Sequence, residues 1–100
     1  MPRNRIRTHP GEVLREEYMK PLGLSANALA RALHIPPNGI TGIATLAKPR
    51  SVTSDTALRL ARFFRTTPGF WLNLQLAYDL SLAEAAVGRA IERDIRPMPS

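Results

Sequence analysis

The sequence predicts an all-α fold, arranged as a compact domain of five to six short helices. Apolar residues recur at spacings of three and four along most of the chain, as they do on one face of a helix. No stretch alternates apolar and polar residues in the way that a half-buried strand does. Capping residues and prolines fall at the ends of the apolar-periodic segments. With 100 residues, 44% of them hydrophobic, the chain suffices for one domain with a small core.

The N-terminal segment predicts an arm followed by a first helix. Residues 1–8 are basic and offer little to bury, so we expect a flexible basic arm. Its cations are Arg3, Arg5 and Arg7. The helix opens at Pro10, since a proline in the first turn costs no hydrogen bond. Pro21 with Gly23 is expected to stop it. Its apolar side consists of Val13, Leu14 and Met19.

The next stretch predicts two helices joined by a tight turn. Ser25 is a strong N-cap for a helix over Ala26–Leu33, because its hydroxyl can accept a hydrogen bond from an orphan backbone N–H. Pro36 and Pro37 are expected to end this helix, since the residue before a proline is pushed out of the helical region. Asn38 is a candidate cap for a third helix. That helix carries Ile40 and Ile43 and could reach Leu46.

Three further helices are predicted in the C-terminal half. Thr53 or Ser54 caps the fourth helix. Its predicted buried face consists of Ala57, Leu58, Leu60, Ala61 and Phe64, and its outward-facing cations are Arg59, Arg62 and Arg65. Thr67 and Pro68 start a fifth helix, which is too apolar as far as Leu76 for an ordinary surface helix. A sixth helix is expected over about residues 81–94, and residues 96–100 form a tail.

The charge balance suits a polyanionic partner. The chain has 14 Lys and Arg residues against 8 Asp and Glu residues, a net charge of +6. The same charge also serves solubility, so composition leaves nucleic-acid binding open. The sequence has no Cys, and His9 and His34 are a poor metal-ligand set, so we expect no metal and no cofactor. Because neither a membrane-spanning apolar run nor a secretory signal is visible, we expect a cytoplasmic location and no membrane partner.

Catalytic chemistry finds little support in the sequence. No nucleophile, phosphate-binding loop or metal cage stands at a recognisable spacing. Glu12, Glu16 and Glu17 are better interpreted as a solvated helix face, in which Glu16 and Lys20 form an i,i+4 ion pair. We therefore expect that the protein is not an enzyme.

Residues 24–46 predict a helix-turn-helix, in which the second helix enters the major groove of DNA. Small residues on the first helix, Ala28 and Ala30, would let the second cross it closely. The residues predicted to face base edges are Asn38, Thr41 and Thr45, with Gly42 on the same face. Asparagine can pair with adenine, and threonine can contact the thymine methyl group. Phosphate contacts are predicted for Ser25, Asn27, Lys48 and Arg50. A generic helical module that binds no DNA is the alternative.

The C-terminal part predicts a dimer. Residues 70–95 carry more apolar surface than a small domain can bury, and such a patch usually marks an interface. The residues predicted to face a second copy are Leu74, Tyr78, Leu82 and Val87. We thus expect residues 9–66 to form a DNA-binding domain, and residues 67–95 to complete the core and mediate dimerisation.

Several stretches of the sequence match one family pattern. They are His-Pro-Gly-Glu-Val-Leu at 9–14, residues 22–25, 27–30 and 35–38, residues 53–64, Thr-Pro-Gly-Phe-Trp-Leu-Asn-Leu-Gln at 67–75, and residues 78–80. On these residues the chain resembles the HigA-type antitoxins of the lambda-repressor-like (Xre) helix-turn-helix group. The resemblance implies a five-helix domain with Trp71 in its core and dimerisation through the C-terminal region. It also implies repression of the protein's own operon at a palindromic operator, and neutralisation of a RelE-like, HigB-like toxin that cleaves mRNA on ribosomes.

The chain departs from that family at the predicted DNA-binding surface. Relatives commonly carry Gln at the position of Ala26, and a larger polar or basic residue at Gly39 and often at Gly42. The loop over residues 46–51 is also slightly longer than usual. Two alternatives therefore stay open: an antitoxin that binds DNA weakly, and a toxin-independent helix-turn-helix transcriptional regulator.

Overall fold

The computed structural model describes residues 5–45 and 47–99, and over these ranges the chain is helical, with no strand. Helix α1 (residues 10–22) runs through Pro10–Val13, a π-helical stretch Leu14–Met19 and Lys20–Leu22. Helices α2, α3 and α4 are Ala26–Leu33, Asn38–Ala44 and Ser54–Phe64. Helix α5 (residues 68–94) runs through Pro68–Ala83, a π-helical stretch Glu84–Gly88 and Arg89–Asp94. The all-α prediction is confirmed.

Three of the helices begin at hydroxyl caps. The side chain of Ser25 accepts a hydrogen bond from the backbone N–H of Ala28, at 3.1 Å, as predicted. Thr53, rather than Ser54, caps α4 by accepting from the N–H of Thr56. Thr67 caps α5 in the same way, with Pro68 in the first turn. Each cap satisfies a backbone donor that the helix leaves without a partner.

Three helices end at residues in the left-handed conformation: Gly23 (φ 64°), His34 (φ 60°) and Arg65 (φ 59°). The left-handed residue turns the chain so that the next N–H bonds back into the helix, as Ile35 does to the carbonyl of Ala30 at 3.0 Å. The prediction that Pro36 and Pro37 end α2 is therefore wrong, because the helix has already ended at His34.

The structure corrects two further predicted boundaries. Pro21 does not stop α1; it lies within the last turn, and Gly23 ends the helix. Asn38 is not a cap but the first residue of α3, whose N-cap is Pro37 and has no side-chain capping bond. The N–H groups of Ile40 and Thr41 bond to the Pro37 carbonyl, so backbone bonds begin this helix.

The predicted fifth and sixth helices form one continuous helix. The backbone is right-handed at Glu84 and Arg89, on either side of the π-helical stretch. Ser81, the expected start of the sixth helix, lies inside α5, where its hydroxyl donates to the carbonyl of Tyr78 at 2.7 Å. A serine that bonds back to its own helix does not interrupt it. The described part of the chain therefore has five helices, not six.

Every one of these helices contributes a fully buried side chain to a single core. These residues are Leu14, Leu29, Ile40, Leu60 and Trp71. The indole N–H of Trp71 donates to the hydroxyl of Thr66 at 2.8 Å, which satisfies its polar atom at the edge of the core. Leu58 is the exception on α4: it was predicted to be buried but is 60% exposed. Leu58 lies two residues before Leu60, and the 3.6-residue period of the helix turns it to the side of α4 that faces away from Leu60.

Arg59 packs against α2 instead of facing outward as predicted. Its guanidinium donates to the carbonyls of Leu33 and His34, at 2.8 and 3.3 Å, and pairs with the Asp55 carboxylate at 2.7 Å. Arg59 thereby binds the last carbonyls of α2, which that helix cannot satisfy by itself. Arg62 and Arg65 are exposed, in agreement with the prediction.

The N-terminal residues run along the surface without helical structure from residue 5 to His9. The backbone N–H of Arg7 donates to the Ser81 hydroxyl at 3.0 Å, so this part of the predicted flexible arm contacts α5. Arg3 lies outside the described residues. The described chain measures 52 × 27 × 23 Å, an elongation consistent with the length of α5. None of its helices is long and apolar enough to cross a membrane.

Candidate nucleic-acid interface

Helix α3 presents one polar face and one apolar face. Ile40 and Ile43 are buried in the core, while Asn38, Thr41 and Thr45 are exposed on the other side. The 3.6-residue period of a helix makes these two sets opposite. Thr45 is the C-terminal cap of α3 and has an extended backbone. The geometry required of a recognition helix is therefore present, and base contact by these three residues stays a prediction.

The four predicted phosphate contacts also lie on the surface. Ser25 and Asn27 are exposed at the start of α2, where backbone N–H groups lack helical partners. Lys48 and Arg50 are exposed in the loop after α3. Ser25 and Asn27 thus lie in the helix before α3, and Lys48 and Arg50 in the loop after it. Leu46, considered above as the end of the third helix, lies outside the described residues.

Two close contacts hold α3 against α1. The backbone of Gly11 lies so near the carbonyl of Ile43 that a Cβ atom built on Gly11 would overlap its oxygen. The guanidinium of Arg15 donates to the carbonyl of Ala44 at 2.6 Å and also pairs with Glu16. Neither contact was predicted from the sequence. Gly11 was visible only as part of a helix start, and the partner of Arg15 is 29 positions away.

His9 joins the start of α1 to α5. Its Nδ1 atom accepts from the N–H of Gly11 at 2.8 Å, and its ring packs edge-on against Tyr78 at a centroid distance of 4.8 Å. Burial lowers the pKa of His9 below its ordinary value of 6.5, against the opposing effects of the Asp79 carboxylate and the Arg50 backbone. The neutral ring is required here, because only an unprotonated Nδ1 accepts a hydrogen bond.

The glycines of α3 make room for neighbouring side chains. A Cβ atom on Gly39 would lie 3.3 Å from Cδ1 of Ile35, which packs against the core from the turn between α2 and α3. A Cβ atom on Gly42 would lie 3.0 Å from both Cδ and Nε of Arg50. Each of these two glycines therefore lies against the side chain of a neighbouring residue, Gly39 against Ile35 and Gly42 against Arg50.

The loop after α3 is fixed at several points. The N–H of Arg50 donates to the carbonyl of Gly42 at 2.8 Å. The N–H of Val52 donates to the side-chain oxygen of Gln75 at 2.8 Å, and both residues are buried. Gln75 is held in turn by its amide, which donates to Asp79 at 3.0 Å. Lys48 has a left-handed backbone, φ 48°. The loop is thus tied to α3 on one side and to α5 on the other.

The predicted dimer residues fall into two groups. Leu74 and Tyr78 are half-buried: Leu74 packs against the core, and Tyr78 contacts His9. Leu82 and Val87 are exposed, at 43% and 46%. Further exposed apolar residues of α5 and its end are Leu76, Leu80, Ile91 and Ile95. Among the described residues no group of three or more His, Asp and Glu side chains is placed to hold a metal ion.

Comparison with known proteins supplies the family context. Residues 16–71 match the helix-turn-helix family model HTH_3. Virulence-associated protein I of Dichelobacter nodosus is 58% identical over 76 residues, which cover 76% of this chain and 68% of that protein. The chain spans about two thirds of the length of the curated relatives that it matches.

Two solved structures have the same fold over nearly the whole chain. One is an addiction module antidote protein of a HigA family from Coxiella burnetii, with a TM-score of 0.86 and 50% identity, covering 94% of this chain and 100% of that one. The other is the Pseudomonas aeruginosa antitoxin HigA with the higBA promoter, with a TM-score of 0.85 and 41% identity, covering 92% and 98%.

Proposed function

The chain belongs to the helix-turn-helix family, among its HigA-type antitoxins, and on that premise we propose that it binds operator DNA as a dimer and neutralises a HigB-like toxin. The family resemblance inferred from stretches between residues 9 and 80 is confirmed. The family is one of DNA-binding proteins, and we propose no catalytic role for this member.

One observation supports DNA binding more than any other: α3 carries exposed polar residues opposite its buried isoleucines. We propose that Asn38, Thr41 and Thr45 contact base edges in the major groove, as their side-chain chemistry allows. Ser25, Asn27 and Lys48 then contact the phosphates on either side, and Arg50 adds a further cation beside α3. Two copies related by two-fold symmetry would bring their α3 helices about one DNA turn apart, roughly 34–36 Å.

The toxin part of the proposal rests on the family alone. We propose that the partner is an mRNA-cleaving toxin of the RelE and HigB type, and that the antitoxin–toxin pair represses its own operon. A toxin-independent transcriptional regulator of the same fold is the alternative, and it makes the same contacts to DNA.

DNA binding is tested by fluorescence anisotropy with a labelled fragment of the promoter of the protein's own operon. We expect affinity to fall with salt, with a slope of about −0.9 in the log–log plot for each phosphate neutralised. The triple variant Asn38→Ala, Thr41→Ala, Thr45→Ala changes only exposed side chains, so it is expected to fold and to lose preference for the operator. A salt slope near zero in the wild type would overturn the proposal.

The toxin is tested by co-expression with the reading frame adjacent to the gene. We expect the antitoxin to co-purify with that product and to restore growth that the product arrests. Operator binding without either effect would identify the protein as a toxin-independent regulator.

A further inference from the structure

The side chain of Arg50 lies where α3 has no side chain of its own. Gly42 is on the helix face that carries Thr41 and Thr45, and the Cδ and Nε atoms of Arg50 occupy the space that a Cβ atom on Gly42 would enter. The backbone N–H of Arg50 donates to the carbonyl of Gly42 at 2.8 Å, which places the two residues side by side. The loop therefore adds an arginine to the middle of the recognition helix.

The chain is anchored immediately after Arg50. Two residues later, the N–H of Val52 is bonded to the buried side chain of Gln75. One residue after that, Thr53 caps α4. A side chain whose backbone is anchored to the core loses less conformational entropy when it binds a ligand than one on a free loop.

The exposed face of α3 offers only short neutral side chains apart from this arginine. Asparagine suits adenine, and threonine suits a thymine methyl group or a single acceptor, but neither presents the paired donors that match O6 and N7 of guanine. A guanidinium does. We infer that Arg50 reads a guanine in the major groove of the operator, so that it determines specificity rather than only neutralising a phosphate. The inference rests on the proposed function.

The location of Arg50 favours a base over a phosphate. Phosphates border a groove, whereas base edges face the middle of a helix that lies within it. The stem of Arg50 lies beside Gly42, which is about midway between Asn38 and Thr45 in the chain. Lys48 is exposed in the same loop, but the three atoms nearest to a Cβ atom on Gly42 all belong to Arg50, which makes Lys48 the matched cation for comparison.

The test measures the affinities of Arg50→Ala, Arg50→Lys and Lys48→Ala for the operator and for operators with each base pair changed singly. With the wild type, we expect changing one G·C pair to cost about 5- to 150-fold in affinity. In Arg50→Ala that penalty disappears at the one position. Arg50→Lys keeps the salt slope but loses most of the discrimination, because an ammonium cannot make the bidentate contact. Lys48→Ala weakens binding to all the operators alike and reduces the salt slope by about 0.9.

The inference is overturned if Arg50→Ala behaves as Lys48→Ala does, with uniform weakening at every operator. Absence of operator binding by the wild type is a separate result that overturns the proposed function itself.

A second pair of variants probes how Arg50 is placed. Gly42→Ala introduces a methyl group into the space of the Arg50 stem and is expected to reduce discrimination at the same base pair. Gly39→Ala, which faces Ile35 instead, is expected to keep it; equal discrimination in the two variants would contradict the role of Gly42.

Discussion

His9 makes two contacts from a buried position, and the first of them depends on its neutral form. Its Nδ1 atom caps the first turn of α1 through Gly11, its ring contacts Tyr78, and it is largely buried. Because Gly11 also lies against the carbonyl of Ile43, His9 is hydrogen-bonded to the residue at which α1 packs against α3. Burial disfavours the imidazolium more than the nearby Asp79 carboxylate stabilises it, which is the balance that leaves the pKa lowered.

We predict that stability falls with acidification below pH 6.5 because of His9. The unfolded chain binds a proton at its ordinary pKa of 6.5, whereas the folded chain binds it only at the lowered pKa. The free energy of unfolding is therefore highest above pH 6.5 and decreases as the pH drops through the window between the two values. Urea unfolding between about pH 7.5 and 5.0 measures this loss. In His9→Asn, which keeps a hydrogen-bond acceptor but does not titrate, the loss should be smaller; an equal loss in both proteins would contradict the prediction.

Helices α2 and α4 end at His34 and Arg65, which adopt the left-handed backbone conformation although neither is glycine. This conformation strains the backbone of both residues. A side chain with a Cβ atom is strained at a φ of about 60°, whereas Gly23 adopts the same conformation freely. Arg65 is exposed, so its side chain is free of the buried contacts that would oppose a substitution.

We predict that Arg65→Gly raises the free energy of unfolding by about 0.5–1 kcal/mol, because relief of the left-handed strain outweighs the extra freedom of the unfolded chain. Urea unfolding at a fixed protein concentration measures the change. Arg62→Gly is the control: it removes the same charge from the same helix, but at a helical position, and it should lower stability by about 1 kcal/mol. A loss of stability in Arg65→Gly would show that its side chain contributes more than the strain costs.

At the scale of the element, α3 depends on other helices for its position. It has seven residues, too few to be stable alone in water, and two glycines lower its intrinsic stability further. Its support comes from the buried Ile40 and Ile43, from the close approach of Gly11, and from Arg15 at its C-terminal carbonyl. Helix α3 is therefore held by α1 as well as by α2.

We predict that Gly11→Ala destabilises the protein by about 1–3 kcal/mol and weakens operator binding, because a methyl group would push α1 away from α3. Urea unfolding and DNA anisotropy measure the two effects. Gly69→Ala is the matched control, since a Cβ atom there would have only the Thr67 hydroxyl nearby, at 3.9 Å, and helix propensity favours alanine. Equal stability of Gly11→Ala and the wild type would mean that the contact with Ile43 relaxes without cost.

The elements that the sequence could predict are those with local signals. Ser25 and Thr67 are recognisable caps because their partners lie three residues ahead, and the buried faces of α2 and α3 follow from spacing alone. The ends at His34 and Arg65 were not predictable in this way, since left-handed residues are usually glycine. The continuity of α5 was missed because Ser81 resembles a start signal, whereas its hydroxyl bonds within the helix.

The candidate site likewise has features that the sequence predicts from local spacing and features that depend on contacts between distant residues. The exposed positions Asn38, Thr41 and Thr45 follow from helical periodicity opposite the two isoleucines. The contacts of Arg50 with Gly42 and of Val52 with Gln75 depend on how a loop folds back, which no local pattern encodes. Arg59 was predicted to be solvent-exposed because its spacing fits an outer face, but its guanidinium reaches the end of a different helix.

At the scale of the whole molecule, the two halves of α5 differ in how far their apolar side chains are buried. Its first half completes the core through Trp71 and Gln75, whereas Leu82, Val87 and Ile91 beyond it are exposed. Apolar residues left on the surface of a helix are stabilised when a partner covers them. We propose that a second copy of the chain covers them, since a two-fold interface pairs the same patch from both subunits.

We predict that the wild type is a dimer and that Val87→Glu dissociates it. A carboxylate placed at the centre of an apolar interface loses its water without gaining a partner, which costs several kcal/mol. Sedimentation equilibrium at micromolar concentration is expected to give twice the monomer mass for the wild type and the monomer mass for the variant. Operator affinity should fall when the dimer dissociates, because a monomer contacts one half-site only.

Leu58→Glu is the control: it introduces the same charge at an exposed leucine of α4, away from α5, and should remain dimeric. The opposite pattern, with Leu58→Glu monomeric and Val87→Glu dimeric, would move the interface to the face of α4.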